Sequence, residues 1–456
     1  MARDRFLVFT WIALTTILGC SPKSVDLSLP LQSPEAFSET SSHALLERWW
    51  TDFGDAEMDT LVDRALQSNF NLETAWQRLR GAQAIVDRES SSQFPNLEVL
   101  LGGEIQRPKS VGDEKLRLGI TSEYEIDLWG RIRSKVEAER YRAKATHADY
   151  QTAALSLSAE VVRTWFQLLG ARNQLNLFEH QIETNQKILS LIKARFGSGQ
   201  IRSVDILRQK QLIESTHEQK ISTESRIQVL EHQLAVLLGR SPKEKIAYTY
   251  QPLPALPPLP NTGLPTELIQ RRPDVQKAYN LLQAADRDLA VAISNRYPRL
   301  TLTASGSSTG NNAGGLFKDW VSNFTGSLLA PIFDGGERSA EVDRNKAVKN
   351  ERLFAYGQTV LTAFQEVENA LIQEKKQIER IYSLEAQVGL VRQTYEQLRI
   401  EYLNGISDYL DVLTALTDEQ RLQRGLISAK LDLLEFRIAL YRSLAGGFET
   451  GHETKE

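Results

Sequence analysis

Leu116-Arg117-Leu118-Gly119-Ile120-Thr121-Ser122-Glu123-Tyr124-Glu125-Ile126-Asp127-Leu128 alternates strictly: Leu116, Leu118, Ile120, Tyr124, Ile126 and Leu128 stand between Arg117, Gly119, Thr121, Glu123, Glu125 and Asp127. A period of two with one apolar and one charged face is a β-strand that meets two different media. A weaker strand, Leu97, Val99, Leu101 and Ile105, precedes it across the polar turn Arg107-Pro108-Lys109-Ser110-Val111-Gly112-Asp113. A second pair follows far downstream: Leu300, Leu302 and Ala304, then Trp320, Phe324, Leu328 and Ile332, around the loop Gly310-Asn311-Asn312-Ala313-Gly314-Gly315. The spacing therefore predicts four strands in two separate pairs, each strand reaching the about nine to eleven residues that cross a bilayer at a tilt.

Around the strands the chain is helical and is written twice. Gln93-Phe94-Pro95-Asn96-Leu97 falls on Arg296-Tyr297-Pro298-Arg299-Leu300. In the same order, Phe196-Gly197-Ser198-Gly199 falls on Tyr402-Leu403-Asn404-Gly405, Val204-Asp205-Ile206-Leu207 on Leu410-Asp411-Val412-Leu413, and Leu237-Leu238-Gly239 on Leu444-Ala445-Gly446. Each half reads helix, strand, strand, then a very long helix and a returning one. Asp55 to Ser90 shows helical spacing through Leu61, Ala65, Leu66, Leu72, Ala75, Leu79 and Ala82, and Pro95 ends it. From Arg131 to Arg195 and from Gly336 to Tyr402 no Pro or Gly cluster intervenes, so each helix runs roughly 100 Å at 1.5 Å per residue. Returning helices carry Ile206, Ile213, Ile227 and Leu234, and Leu413, Ile427 and Leu434, at multiples of seven. Gln209, Lys220, Gln420 and Gln423 break that seam, which fits a wall whose second face lines water. Seven of fifteen prolines lie between Pro242 and Pro265, where they block helix and ladder alike.

Alternation alone fits a soluble sheet on helices as well as a membrane barrel. The isolated pairs and crossing lengths favour the barrel, with Phe94, Trp129, Tyr297 and Trp320 near the strand ends where aromatic girdles sit. Four strands cannot close a cylinder, since the smallest such barrels have about eight. Other copies of the chain must pair the open edges. Composition narrows the function: 54 Lys+Arg against 58 Asp+Glu gives no basic surface for nucleic acid. One Cys and six scattered His give no metal-ligand spacing, and no phosphate loop or nucleophile elbow occurs, so neither an enzyme nor a cofactor is expected. Arg271-Arg272-Pro273-Asp274 suits a helix start, and Glu366 and Glu368 read as a solvated helix face.

Arg3 and Arg5 before the apolar run Phe6 to Leu14 form a secretory signal. The run ends in Ile17-Leu18-Gly19-Cys20, which resembles the lipobox of bacterial lipoproteins, with Leu18 an imperfect match. That resemblance implies acylation of Cys20, a covalent lipid such as palmitate, and Ser21 after it implies sorting to the outer membrane. The chain thus divides into a signal at 1–19, a lipidated segment at 20–54, a first repeat at 55–239, a Pro-rich linker at 240–265, a second repeat at 266–446 and a tail at 447–456.

Several segments together resemble the TolC-like outer membrane factors, specifically the lipoprotein (NodT-type) branch serving resistance-nodulation-division efflux pumps. They are Trp49-Trp50 with Phe53-Gly54-Asp55, Asp127-Leu128-Trp129-Gly130-Arg131, Arg271-Arg272-Pro273-Asp274, Pro331-Ile332-Phe333-Asp334-Gly335-Gly336, Ala363-Phe364-Gln365-Glu366-Val367-Glu368-Asn369-Ala370-Leu371, and the two Gly turns. The resemblance implies a mainly α fold with a membrane β-barrel: a homotrimer whose twelve strands form one barrel and whose helices form a periplasmic tunnel. It implies an exit duct in outer membrane lipid, opened by a periplasmic adaptor (membrane fusion protein) and an inner-membrane pump. Gly197, Gly199 and Gly405 would mark the periplasmic tips. Tyr402 and Asp205 would take the places of a hydrogen bond holding the hairpins shut, and Asp411 that of a carboxylate ring at the constriction. Ser407 and Thr414 stand where some members carry an arginine and a second acidic ring. Asp205 and Asp411 could equally cap the returning helices. A duct for protein secretion and a non-conducting periplasmic coiled-coil adaptor are the competing readings.

Overall fold

The computed structural model describes residues 34–105, 114–244, 249 and 251–452; Cys20 and the turn Arg107–Asp113 lie outside the described residues. A 3-10 turn at Trp49–Phe53 precedes α1 (Ala56–Ser68) and α2 (Phe70–Ser90). Then come β1 (Asn96–Ile105), β2 (Glu114–Ile126), α3 (Arg131–Gly197) and α4 (Ser203–Leu237). The second half repeats the order as α5 (Pro265–Arg271), α6 (Pro273–Ser294), β3 (Arg299–Gly310), β4 (Trp320–Leu329), α7 (Glu337–Leu403) and α8 (Tyr409–Leu444).

Spacing predicted one helix from Asp55 to Ser90; the structure has two, broken at Asn69. Asn69 leaves helical geometry (φ −74°, ψ 123°), and its Oδ1 accepts from the Asn71 and Leu72 amides at 2.9 and 3.1 Å, capping α2. Its Nδ2 donates to the Leu237 carbonyl at the end of α4 at 2.9 Å. Arg272 breaks the second half at the same place with φ −75° and ψ 122°, there forced by Pro273. The Arg272 guanidinium grips Asp274 at 2.8 and 3.0 Å, pairs with Glu366 and reaches the Ser443 carbonyl at 3.3 Å. Glu368 accepts the Ser38 amide at 3.0 Å. Glu366 and Glu368 are therefore tethering groups rather than a merely solvated face.

Compact units cut across the duplication, each taking segments of both halves. One unit, Gln77–Ala148 with Gln276–Thr359, holds the sheet. The two predicted pairs are not separate: β2 pairs with β3, giving one antiparallel sheet in the order β1-β2-β3-β4. Register puts Val99 opposite Ile120, Ile120 opposite Gly306, Tyr124 opposite Leu302 and Ala304 opposite Phe324. Because side chains alternate and paired residues share a face, Leu97, Val99, Leu101, Leu118, Ile120, Tyr124, Leu300, Leu302, Phe324 and Leu328 all fall on one side. The other side carries Glu98, Arg117, Thr121, Glu123, Thr301, Thr303, Ser305, Asn323, Thr325 and Ser327. On the apolar side Leu97, Leu101 and Phe324 are about 70 % exposed, so no described residue covers it. Ile332 lies beyond the end of β4, past Pro331, not on the strand.

Both strand-to-helix corners are built by the motif residues. Asp127 accepts the Ile132 and Arg133 amides at 3.1 and 2.8 Å, Gly130 turns with φ +72°, and Arg131 forks onto Glu125 at 3.0 and 2.7 Å. Trp129 stacks on Tyr297 at 4.9 Å and donates to the Pro298 carbonyl at 2.7 Å. In the repeat, Asp334 accepts the Gly336 amide at 3.0 Å and pairs with Arg338 at 3.2 Å.

The second unit, Gln32–Trp76, Asp149–Val275 and Val360–Glu456, is helical. Its core centres on Trp165, Phe166, Leu168 and Leu169 of α3 with Trp49, Trp50 and Phe53 of the 3-10 turn, all buried. Side chains fix the order of neighbours. Arg172 of α3 holds Glu231 of α4 at 2.9 Å, Gln174 of α3 donates to the Arg424 carbonyl of α8 at 2.8 Å, and Gln377 of α7 donates to the Ala429 carbonyl of α8 at 2.7 Å. Along the shafts the order is α4-α3-α8-α7, with α4 and α7 outermost, and near the turns α4 also meets α8 through Gln209 and Tyr409. Of the heptad seam, Ile213, Ile227, Leu234 and Leu434 are buried, whereas Ile206, Leu413 and Ile427 are half-buried. No described helix is long and apolar enough to cross a membrane.

Candidate functional site

Both hairpins turn in the same way. Gly199 (φ +75°) donates to the Phe196 carbonyl at 2.9 Å and Gln200 to that of Arg195 at 3.0 Å. Gly405 (φ +77°) donates to Tyr402 at 3.1 Å and Ile406 to Glu401 at 2.8 Å. This paired bonding is a Schellman stop, which needs a left-handed residue and so selects glycine. Gly197 is no part of it: it ends α3 in helical conformation.

Asp205 and Asp411 each take the third position of the returning helix, whose N-caps are Arg202 and Asp408 without side-chain cap bonds. Capping therefore does not explain them, although a carboxylate in a first helical turn suits the helix dipole. Their surroundings have diverged. Asp411 is exposed, whereas Asp205 is 4 % exposed and faces Tyr402, itself 7 % exposed. The hydrogen bond that resemblance implied between these two is not formed. Asp205 Oδ1 and the Tyr402 hydroxyl are both buried without a hydrogen-bond partner, with Arg208 3.7 Å from the carboxylate. Arg195 lies 4.7 Å over the Tyr402 ring and donates to its carbonyl at 3.4 Å. Burial pushes the Tyr402 phenol up, with Arg195 opposing and Asp205 reinforcing.

Tyr402 belongs to a buried cluster with Ile192, Tyr395, Tyr409, Val412, Ala415 and Leu416. Its ring lies 5.5 Å from that of Tyr409, whose phenol burial also pushes up. Gln209 and Gln420, expected to face water, are instead 0 % and 3 % exposed and bonded to Asn185 and Tyr409. Lys220 pairs with Glu179 at 3.1 Å. Asn185, Tyr409 and Arg195 were missed, because a lone amide or tyrosine in a long helix carries no periodic signal. The polar breaks at Gln209 and Gln420 were the available clue. Beside Asp411, the exposed Thr414 hydroxyl donates to the Leu410 carbonyl at 2.9 Å and Asp418 pairs with Arg421 at 3.0 Å.

Farther along α8, Glu419 accepts from Gln423 at 3.1 Å. Burial raises its carboxyl above the usual range, Arg392 opposes this and Glu396 adds to it. A carboxyl raised in the fold contributes stability that is present below its unfolded value of 4.5 and lost as pH rises through the folded value. Glu419→Gln is therefore expected to raise the thermal midpoint slightly at neutral pH and to leave it unchanged in acid, as scanning fluorimetry at both pH values would read.

Comparison with known proteins agrees with this architecture. The family model for the outer membrane efflux protein matches residues 61–240 and 264–446. A pyoverdine export outer membrane protein of Pseudomonas aeruginosa, OpmQ, is 28 % identical over 451 residues, covering 95 % of each chain. The solvent efflux pump outer membrane protein SrpC of Pseudomonas putida is 27 % identical over 472 residues, 97 % of this chain and 99 % of that one. The solved outer-membrane channel OprN superposes with a TM-score of 0.85 at 28 % identity, covering 94 % of this chain and 99 % of its own. With both segments matched over most of the chain, this protein belongs to the outer membrane efflux protein family.

Proposed function

We propose that the chain is the outer-membrane exit duct of a tripartite efflux pump, carrying small molecules passively from periplasm to exterior. It works with a periplasmic adaptor and an inner-membrane pump, is anchored through acyl chains on Cys20, and assembles as a homotrimer whose twelve strands close one barrel. The observation that carries the reading is a sheet whose apolar face is bare and whose two edges are unpaired among the described residues. In lipid such a sheet is stable only when closed.

The helical unit supports the same assembly, because its two edge helices also carry unpartnered apolar stripes. Leu361, Ile372 and Leu390 of α7 fall within an arc of about 20° at 100° per residue and are roughly half to two-thirds exposed. Leu207, Ile221, Val229 and Val236 of α4 fall within about 80° and are more than half exposed. Within the helical unit, a neighbouring copy would join α7 to α4. The sequence carries no Gly-rich phosphate loop, and in this reading energy comes from the pump.

Heat-modifiable migration of the detergent-solubilised protein, with single-channel recording in a planar bilayer, tests the proposal. A trimer that conducts is expected; a soluble, non-conducting monomer would favour the adaptor reading. At the tip, three copies of exposed Asp411 would form a carboxylate ring that attracts cations and lets divalent ions block. Asp411→Ala is expected to lower the cation-to-anion permeability ratio several-fold and to relieve divalent block, read from reversal potentials in a salt gradient.

A further inference from the structure

Among the bonds that join α8 to the first hairpin, two near the tip are linked to each other. Near the turn, the Tyr409 hydroxyl donates to Gln209 Oε1 of α4 at 2.6 Å. Eleven residues on, about 16 Å along the helix, Gln420 Nε2 donates to Asn185 Oδ1 of α3 at 3.0 Å, and Asn185 Nδ2 donates back to Gln420 Oε1 at 3.4 Å. Gln209 joins the two rungs, because its Nε2 donates to the Asn185 carbonyl at 2.9 Å. The bonds thus form a circuit from α8 through α4 and α3 back to α8. Asn185 and Gln209 are fully buried, Gln420 is 3 % exposed and Tyr409 4 %.

A buried amide that loses its partner cannot turn to water while the helices stay packed, so breaking one rung is costly. A turn or slide of α8 against the first hairpin breaks both rungs at once. When the hairpins part, the same amides find water, whereas an apolar contact would be exposed at continuing cost. The circuit is therefore suited to a position that must be held firmly and given up reversibly. By contrast, the Tyr402 hydroxyl and Asp205 Oδ1 make no hydrogen bond in this conformation.

We infer that the Tyr409–Gln209–Asn185–Gln420 circuit sets the resting position of α8, with Gln209 and Asn185 as positioning residues for the gate, and that Tyr402 and Asp205 hold the tip by packing instead of by a bond to each other. The inference rests on the duct reading above. It places the closing interaction across the two halves of one chain, from the first residue of α8 to about 16 Å along that helix, and makes Tyr409 rather than Tyr402 the tyrosine whose hydroxyl matters.

The test is resting open probability of full-length protein in planar bilayers with potassium chloride as carrier, each variant first checked as a heat-modifiable trimer. Tyr409→Phe deletes one oxygen and Gln209→Leu deletes the joint; each is expected to raise resting open probability on the order of tenfold, the equivalent of one hydrogen bond. Combined, they are expected to give little more than the larger single effect, since both open the same rung. Tyr402→Phe is expected to give a smaller rise than Tyr409→Phe. A Tyr402→Phe effect equal to or above that of Tyr409→Phe, or Tyr409→Phe currents at the unmodified level, would overturn the inference. If Gln209→Leu fails to assemble, Tyr409→Phe alone decides. A wild-type trimer that never conducts would instead defeat the duct reading itself, so the two failures are distinguishable.

Discussion

Arg437→Ala is expected to lower stability by about 3–5 kcal/mol, the usual consequence of stranding one half of a buried ion pair. Arg437 is 2 % exposed and forks onto Glu374 at 2.7 and 2.6 Å. Its Nη1 also donates to the carbonyls of Pro257 and Pro258 in the linker between the repeats, and its guanidinium lies 5.9 Å from the Tyr441 ring. Tyr441 in turn stacks on Trp49 at 5.5 Å and donates to Asp52 at 2.7 Å. One side chain thus ties α7, α8 and the linker, and truncation leaves Glu374 and the Pro257 carbonyl buried without that donor. Urea midpoints of the detergent-solubilised protein would read the loss. Arg437→Met combined with Glu374→Leu is expected to recover most of it, because neither desolvated charge remains. If the double variant proves no more stable than Arg437→Ala, stranded charge is not the cause.

Gly239→Ala is expected to cost roughly 2–5 kcal/mol through left-handed strain plus overpacking. Gly239 has φ +69° and closes α4 with a Schellman stop, its amide 3.0 Å from the Val236 carbonyl and that of Arg240 2.9 Å from Ala235. A Cβ there would stand 2.2 Å from the Ser68 carbonyl oxygen, and backbone cannot swing aside. Ser68 Oγ already donates to the Leu238 carbonyl at 2.8 Å, so the ends of α1 and α4 are locked together. Its counterpart Gly446 would place a Cβ 2.5 Å from Arg271 Cγ, near the root of that side chain, and 3.3 Å from its carbonyl oxygen, and Gly199 (φ +75°) would meet nothing within 4 Å. The expected order of destabilisation is therefore Gly239→Ala above Gly446→Ala, and both above Gly199→Ala, the last costing about 1 kcal/mol of backbone strain. Equal losses at Gly239 and Gly199 would show that the close approach to Ser68 is not what demands glycine.

Elements whose pattern is local were legible in the sequence. Alternation along Leu116 to Leu128 sets which side of β2 meets lipid whatever its partner. Gly199 and Gly405 mark their turns because a left-handed stop excludes a Cβ. Uninterrupted helical stretches gave α3 and α7 within two residues of their ends. The break at Asn69 was hidden because asparagine, unlike Pro273, only permits a stop; its cap and its bond to Leu237 complete one. Equal motifs in the two halves also suggested equal roles, yet Asp205 is buried and Asp411 is exposed at the same helical position.

By itself the sequence determined the duplication, the strand faces, the long hairpins and the positions of their tips, since each follows from steric or hydrophobic preferences acting within a few residues. Only the tertiary structure decided that β2 pairs with β3, that α3 meets α8, and that Gln209 and Gln420 are buried with Asn185 instead of facing water. Those outcomes depend on which surfaces meet across hundreds of residues, and a polar side chain reads the same in a sequence whether water or another amide satisfies it.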